Sequence, residues 1–235
     1  MSFTLGCDPE LICRRNGHFV SASDYFKTNS SFGLDGAADT GEVRPGYSES
    51  PVDLTSKIYQ ILEYGHDKAP DLEFYSGHYV ESLPIGGHIH FSLDPSDKLI
   101  KGLDVVLGSL SNCVDDKQQR AKREKSGYGA KSSYRKKNYG FEYRTPGSFL
   151  LSPSISLINL TLAKLTVIGI LEDDLNFTEL KNRQHSCSFL KNLKHYLVSI
   201  PDDCREGLKE LDLVIGKQIN WNQDILPNWG LRRAA

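Results

Sequence analysis

The chain has 235 residues, 39% of them apolar and 25% charged, with a formal net charge of −2. That length suits one large domain, or one domain with a helical appendage, and it supports a core without staples. The near-neutral balance excludes overall charge as a means of holding nucleic acid or a membrane surface.

The N-terminus, Met1-Ser-Phe-Thr-Leu-Gly6, lacks the basic-then-apolar pattern of a signal peptide. Five cysteines occur, at Cys7, Cys13, Cys113, Cys187 and Cys204, with no C-x-x-C pair. An odd count without metal-ligand spacing argues against a disulfide framework or a zinc site. Free thiols in a reducing cytoplasm are the expectation.

In chain order, Phe3-Thr-Leu and Leu11-Ile-Cys read as strand segments either side of a polar turn. Asn16-Gly17 marks a hairpin into His18-Phe-Val. Residues 23 to 41 are loop-like, and Glu42-Val-Arg-Pro45 reads as a short strand stopped by its proline. Ser50, Pro51 and Asp53 form a helix start: a cap, a first-turn proline and an acid at the positive end. Leu54, Ile58, Ile61 and Leu62 follow at helical spacing, and Gly65 is the predicted end.

Strands are predicted over Glu73 to Ser82 and Gly87 to Leu93, then a helix from Asp97 to Asp116. Its apolar face is Leu99, Leu103, Val106, Leu107 and Leu110. A basic loop precedes a strand from Tyr139 to Thr145. Helices are predicted at 153–172, 186–198 and 203–216. The apolar stretch Ile155 to Leu171, interrupted by Asn159 and Lys164, reads as a buried helix rather than a membrane span. Trp221 and Trp229 either pack back on the domain or meet a partner. Early strands and late helices predict an α+β architecture, one domain over 1–235. Its sheet-rich part, 1–150, carries the site, and its helical part, 151–235, supports it.

Four segments look chemical. In Gly6-Cys7-Asp8-Pro9-Glu10, extended backbone turns Asp8 and Glu10 the same way. Two carboxylates on one sheet face suit Mg²⁺, a hard cation that prefers oxygen ligands. Glu42 and Arg44 also share a face; an exposed ion pair is the plainer explanation. In Gly86-Gly87-His88-Ile89-His90-Phe91, two imidazoles point to one side, where they can meet a metal or a phosphate. The preceding glycines permit close approach of a ligand or a second backbone. Finally, Glu142 and Arg144 alternate with aromatics in Gly140-Phe-Glu-Tyr-Arg-Thr-Pro146. A carboxylate there can hold a metal while a guanidinium forks onto phosphate oxygens. Residues 117 to 137 hold nine Lys or Arg and one acid, Glu124. That run reads as a solvated loop, a nucleic-acid contact, or a flap closing over a polyphosphate.

In order, GCDPEL, LDGAADTGEVRP, GGHIHFS and YGAKSSYRKKNYGFEYRTPGS resemble the phage-type COOH–NH₂ ligase (amidoligase) family, related to glutamine synthetase and γ-glutamylcysteine synthetase. The four stretches span residues 5 to 150. The resemblance implies a curved, glutamine-synthetase-like antiparallel sheet with helices packed behind it. It implies an ATP- and Mg²⁺-dependent enzyme (Mn²⁺ as a substitute) that joins a carboxylate, small or peptide-borne, to an amine through an acyl phosphate. Asp8, Glu10, Glu42, His88 and Glu142 match metal-binding positions. His88 and His90 match positions near the nucleotide. Arg135 and Arg144 match phosphate-contacting arginines, and Arg44 the arginine after the second acid. Ser132-Ser133 departs from the Gly-Asp pair of related sequences, in the loop tied to acceptor recognition. A bacteriophage source and a host-cytoplasmic location are implied as well. Two rival readings rest on the same residues: a metal-dependent hydrolase at His88 and His90, and a non-catalytic nucleotide- or nucleic-acid-binding protein using residues 117–137.

Overall fold

A computed structural model describes residues 2–36, 38–172, 187–197 and 199–231. Its first strand, β1 (Leu5–Arg15), runs unbroken for 11 residues. The polar turn expected near Gly6 to Glu10 is instead the first half of that strand. Burial decides this, because both edges of the segment find hydrogen-bonding partners. The hairpin at Asn16-Gly17 forms as expected, both residues at positive φ, and leads into β2 (His18–Val20).

The remaining strands are β3 (Phe32–Leu34), β4 (Thr40–Val43), β5 (Tyr47–Ser48), β6 (Leu72–Tyr75), β7 (Tyr79–Val80), β8 (Leu83–Pro84), β9 (Gly87–Phe91), β10 (Tyr134–Lys137) and β11 (Gly140–Tyr143). Among the described residues, nine form one sheet with the path β10-β11-β9-β1-β4-β3, with β2, β5 and β6 also on β1. Every pairing is antiparallel. Strand β1 changes partners at Pro9-Glu10: Leu5 to Pro9 pair with β9, and Ile12 to Arg15 with β6. The strand expected over Glu73 to Ser82 divides into β6 and β7; Gly77 at positive φ lies between them.

Helix α1 (Pro51–Lys68) starts as predicted, with the Ser50 hydroxyl accepting from Asp53 N. It runs past Gly65. There a side chain would meet the Phe32 ring at 2.4 Å, so the glycine permits close packing of α1 on β3 and does not end the helix. Helix α2 (Asp97–Val114) is capped by Ser96, and its predicted apolar face is buried. The basic loop proves to be structured: α3 (Lys117–Lys125), capped by Asp116, and then β10. Arg123 anchors α3. It is buried, and its Nη1 donates to the Thr145 carbonyl at 2.7 Å.

Helix α4 (Pro153–Leu171) is long and apolar enough to cross a membrane, yet 72% of it is buried within the protein. It packs on α1, α2 and α6 (Asp202–Val214), which explains its apolar residues all round. Between them lies α5 (Cys187–Asn192), continued by a 3₁₀ turn to His195; both limits of the helix predicted at 186–198 lie outside the described residues. Trp221 and Trp229 pack back, donating their indole N–H groups to the Val114 and Leu150 carbonyls, each at 2.7 Å.

One cysteine expectation is corrected. Cys113 and Cys187 form a disulfide joining α2 to α5, while Cys7, Cys13 and Cys204 are free and buried. Helix packing brings the pair to a Cα separation of 5.7 Å across 74 residues, a distance that sequence spacing does not reveal.

Candidate active site

Alternation assigns the two faces of the sheet. Cys7, Ile89, Phe91, Phe141 and Tyr143 join the hydrophobic core with the helices. The intervening residues point the other way. Register then aligns them across strands: Asp8 opposite His88, Glu142 opposite His90, Arg135 opposite Glu142, and Glu42 opposite Glu10. Side chains from β1, β4, β9, β10 and β11 thus share one polar face.

At its centre, one donor atom each from Asp8, His88 and Glu142 lie within 4.8 Å of one another. His88 Nδ1 is 3.3 Å from Asp8 Oδ1 and 3.4 Å from Glu142 Oε1. His90 Nε2 is 3.0 Å from Asp8 Oδ2. Glu10 sits one step away, accepting from Gly86 N at 2.7 Å and from the Tyr128 hydroxyl at 2.8 Å. That hydroxyl is also 3.0 Å from His88 Nε2. Its single proton goes to Glu10, so it accepts from Nε2–H. The other ring nitrogen, Nδ1, then faces the two carboxylates. An imidazole fixed in this way by a neighbour is arranged as a metal ligand.

Cations gather on Glu142. Arg144 Nη1 is 2.7 Å from Oε1; Lys137 Nζ and Arg135 Nη1 are 2.8 and 3.8 Å from Oε2. Burial pushes the Glu142 carboxyl up, but Lys137 and His88 outweigh it and hold the group below its usual range. Burial acts on Asp8 too, and the adjoining His88 and His90 imidazoles overcome it and hold the carboxyl well below its usual range. Glu10 is raised, chiefly by burial. Glu42 is pushed up to about 8 by burial and by the charge of Asp8. It ion-pairs with Arg44. Arg44 also donates to the carbonyls of Thr28, Ser30 and Leu34, so its guanidinium pins the 28–34 loop.

The sequence-predicted residues therefore divide. Asp8, Glu10, His88, His90, Glu142, Arg144 and Arg135 form one chain of contacts. Glu42 and Arg44 adjoin it through register and repulsion, not through the central trio. Tyr128, Lys137 and Tyr139 were not read from the sequence. Lys137 was findable, because it lies two residues after Arg135 and so shares its face. Tyr139 lies edge-on to His90 with the ring planes 12° apart, its hydroxyl 2.5 Å from Nδ1 and its pKa raised by burial to about 12.

Asp8 Oδ1 is buried with no hydrogen bond of normal geometry, despite its nearness to His88. An oxygen-rich donor set with such an atom fits Mg²⁺ or Mn²⁺. Beside it opens a groove of about 550 Å³, lined by Gly6, Asp8, Arg44, Tyr47, His90 and Tyr139 among others. A separate cavity of about 170 Å³, which includes His78, Asp104, Asp115 and Arg123, contains none of the central trio.

The family model described as phage phiEco32-like COOH.NH2 ligase-type 2 matches residues 5–226. No curated protein matches the sequence. Among solved structures, a bifunctional glutathione synthetase from Pasteurella multocida is similar in fold, with a TM-score of 0.56 at 12% identity. The likeness covers 91% of this chain and 47% of that one, so the chain spans about half that enzyme's length.

Proposed function

This chain belongs to the phage phiEco32-like COOH.NH2 ligase family, and on that footing we propose that it is an ATP- and Mg²⁺-dependent carboxylate–amine ligase with a glutamine-synthetase-like catalytic sheet, working through an acyl phosphate. One observation carries the reading: Asp8, His88 and Glu142, from three different strands, converge within 4.8 Å, with Arg144 and Lys137 held on the same glutamate. A site for metal-bound triphosphate needs this pairing of hard anionic donors with phosphate-seeking cations.

A carboxylate does not condense with an amine in water, because its oxygen leaves poorly. Phosphorylation changes that. A carboxylate oxygen attacks the γ-phosphorus and the bond to the β-phosphate oxygen breaks, releasing ADP. The amine then attacks the acyl carbon, phosphate leaves, and the amine loses its proton. Two anions must first be brought together. Asp8, His88 and Glu142 would hold a divalent ion, with Glu10 and Glu42 beside them; the ion supplies charge neutralisation at the triphosphate. Arg144, Arg135 and Lys137 take phosphate oxygens as charge moves toward the leaving group. Tyr128 holds Glu10 and His88 in place. No side-chain nucleophile is required.

Three of the nine cations in the basic run at 117–137 are committed within this scheme. Arg123 is buried, and Arg135 and Lys137 face Glu142. That leaves less of the run free for nucleic acid. The deciding assay is phosphate release from Mg·ATP with panels of carboxylates and amines. The expected result is release that needs both, lost in His88→Ala with the fold retained by circular dichroism. Turnover without ATP would establish the metal-dependent hydrolase instead.

A further inference from the structure

The groove beside the cluster has a wall that the chemistry above does not use. Tyr139 is 46% exposed although its hydroxyl is fixed at 2.5 Å from His90 Nδ1 and its ring lies 12° from the imidazole plane. Tyr47 also lines this groove and is 74% exposed. Aromatic rings exposed beside a polar cluster offer a large apolar area that is gained when a flat ligand covers them. Gly6 and Gly46 also line the groove and pack closely, since a side chain at Gly6 would meet the Gly46 carbonyl at 2.8 Å.

We propose that Tyr139 and Tyr47 form the subsite for the nucleobase of the ATP-type nucleotide, a flat heteroaromatic ring stacked beside the His90 imidazole. The inference rests on the ligase reading and deepens it. Continuity of charge selects a nucleotide over a ring carried by the acceptor. Tyr139 stands next to β10, whose Arg135 and Lys137 point at Glu142. Residues two apart on a strand are about 7 Å apart, the scale of a polyphosphate chain. One hairpin therefore presents phosphate-seeking cations and, just beyond them, an oriented aromatic platform. Asp8, which lines the groove, also belongs to the central trio, so base and phosphates can be held at once. The pre-fixed ring loses little freedom on stacking, whereas a mobile one would lose more.

The experiment uses the full chain with Mg²⁺ and measures Kd by calorimetry for AMP-PNP and for inorganic tripolyphosphate, which lacks a base. Tyr47→Ala and Tyr139→Ala should each weaken AMP-PNP about tenfold and leave tripolyphosphate unchanged, in keeping with the usual worth of base stacking. Tyr139→Phe keeps the ring but frees it from His90, and should weaken AMP-PNP far less than Tyr139→Ala. Unchanged AMP-PNP binding in both alanine variants overturns the subsite; so does equal loss for both probes, which would place the effect on the phosphate cage. Should Tyr139→Ala not fold, Tyr47→Ala decides alone, since that side chain is largely in solvent. If the wild type binds neither probe, the ligase reading fails and the subsite falls with it, whereas tripolyphosphate binding without AMP-PNP binding overturns the subsite alone.

Discussion

Replacing Glu142 with glutamine removes one charge and almost no volume, so it isolates the electrostatic role of the cluster. Glu142 is buried and meets Arg144 at 2.7 Å, Lys137 at 2.8 Å and His88 at 3.4 Å. In wild type with 10 mM Mg²⁺, an affinity on the order of 0.1 mM stabilises the fold by about 2.7 kcal/mol. For a chain of this size that raises Tm by roughly 5–10 °C. Loss of a charged ligand should weaken the ion about 100-fold or more, which leaves about 0.4 kcal/mol and a shift of roughly 1 °C. Without metal, the same change strips Arg144 and Lys137 of their partner and should cost about 1–3 kcal/mol. Scanning calorimetry with Mg²⁺, Mn²⁺ or EDTA measures both effects. Equal Mg²⁺ shifts in wild type and Glu142→Gln would show that the ion, if bound, is held elsewhere, and the proposed cage would fall.

Tyr128→Phe deletes the hydroxyl shared by Glu10 and His88, and should lower kcat/KM for phosphate release about 10- to 100-fold with a small change in Tm. Glu42 gives a pH dependence. Its folded pKa of about 8 lies above its ordinary value, so the folded state binds its proton more tightly. The contribution of Glu42 to the stability of the metal-free protein is then fullest below pH ~4.5 and is lost as pH rises toward 8, at up to ~1.4 kcal/mol per unit for one proton. Glu42→Gln should flatten that slope, and an unchanged slope in calorimetry would remove Glu42 as its source. Gly65→Ala should lower stability by about 1–3 kcal/mol despite better helix propensity, because the added carbon meets the Phe32 ring. A urea midpoint equal to wild type would contradict that packing.

Which parts were legible from sequence follows the range of the forces involved. Caps and periodicity are local, so Ser50 marked the start of α1, and the starts of α2 at Asp97 and α4 at Pro153 were placed correctly. The face of each site residue was legible for the same reason: period two puts Asp8 with Glu10 and His88 with His90 on any strand. Register was not. No local signal says that Asp8 lies opposite His88, and the central trio depends on that pairing. Gly65 shows the converse error, since a residue that usually ends helices was kept by a tertiary contact with Phe32. The basic run misled in a third way. Lysines and arginines look solvated in sequence, yet Arg123 is buried against a carbonyl partner and Lys137, half-buried, is engaged by Glu142.

The distribution of charge on the polar face has a further consequence. Arg135, Lys137 and Arg144 all lean on Glu142, at the β10–β11 edge. Asp8 and Glu10, on β1, meet imidazoles, a tyrosine hydroxyl and a backbone N–H, with Arg44 engaged by Glu42 and the 28–34 loop. Buried carboxylates so unevenly neutralised carry a standing electrostatic cost. A divalent ion bound toward Asp8 relieves it on one side, and phosphate oxygens at the guanidinium groups relieve the opposite excess on the other. Each ligand therefore improves the site for the other, and binding of Mg²⁺ and AMP-PNP should be mutually tighter than either alone. By linkage the coupling must be the same measured from either ligand. Independent binding would mean that the two charge groups, although adjacent on one sheet, do not serve one reaction.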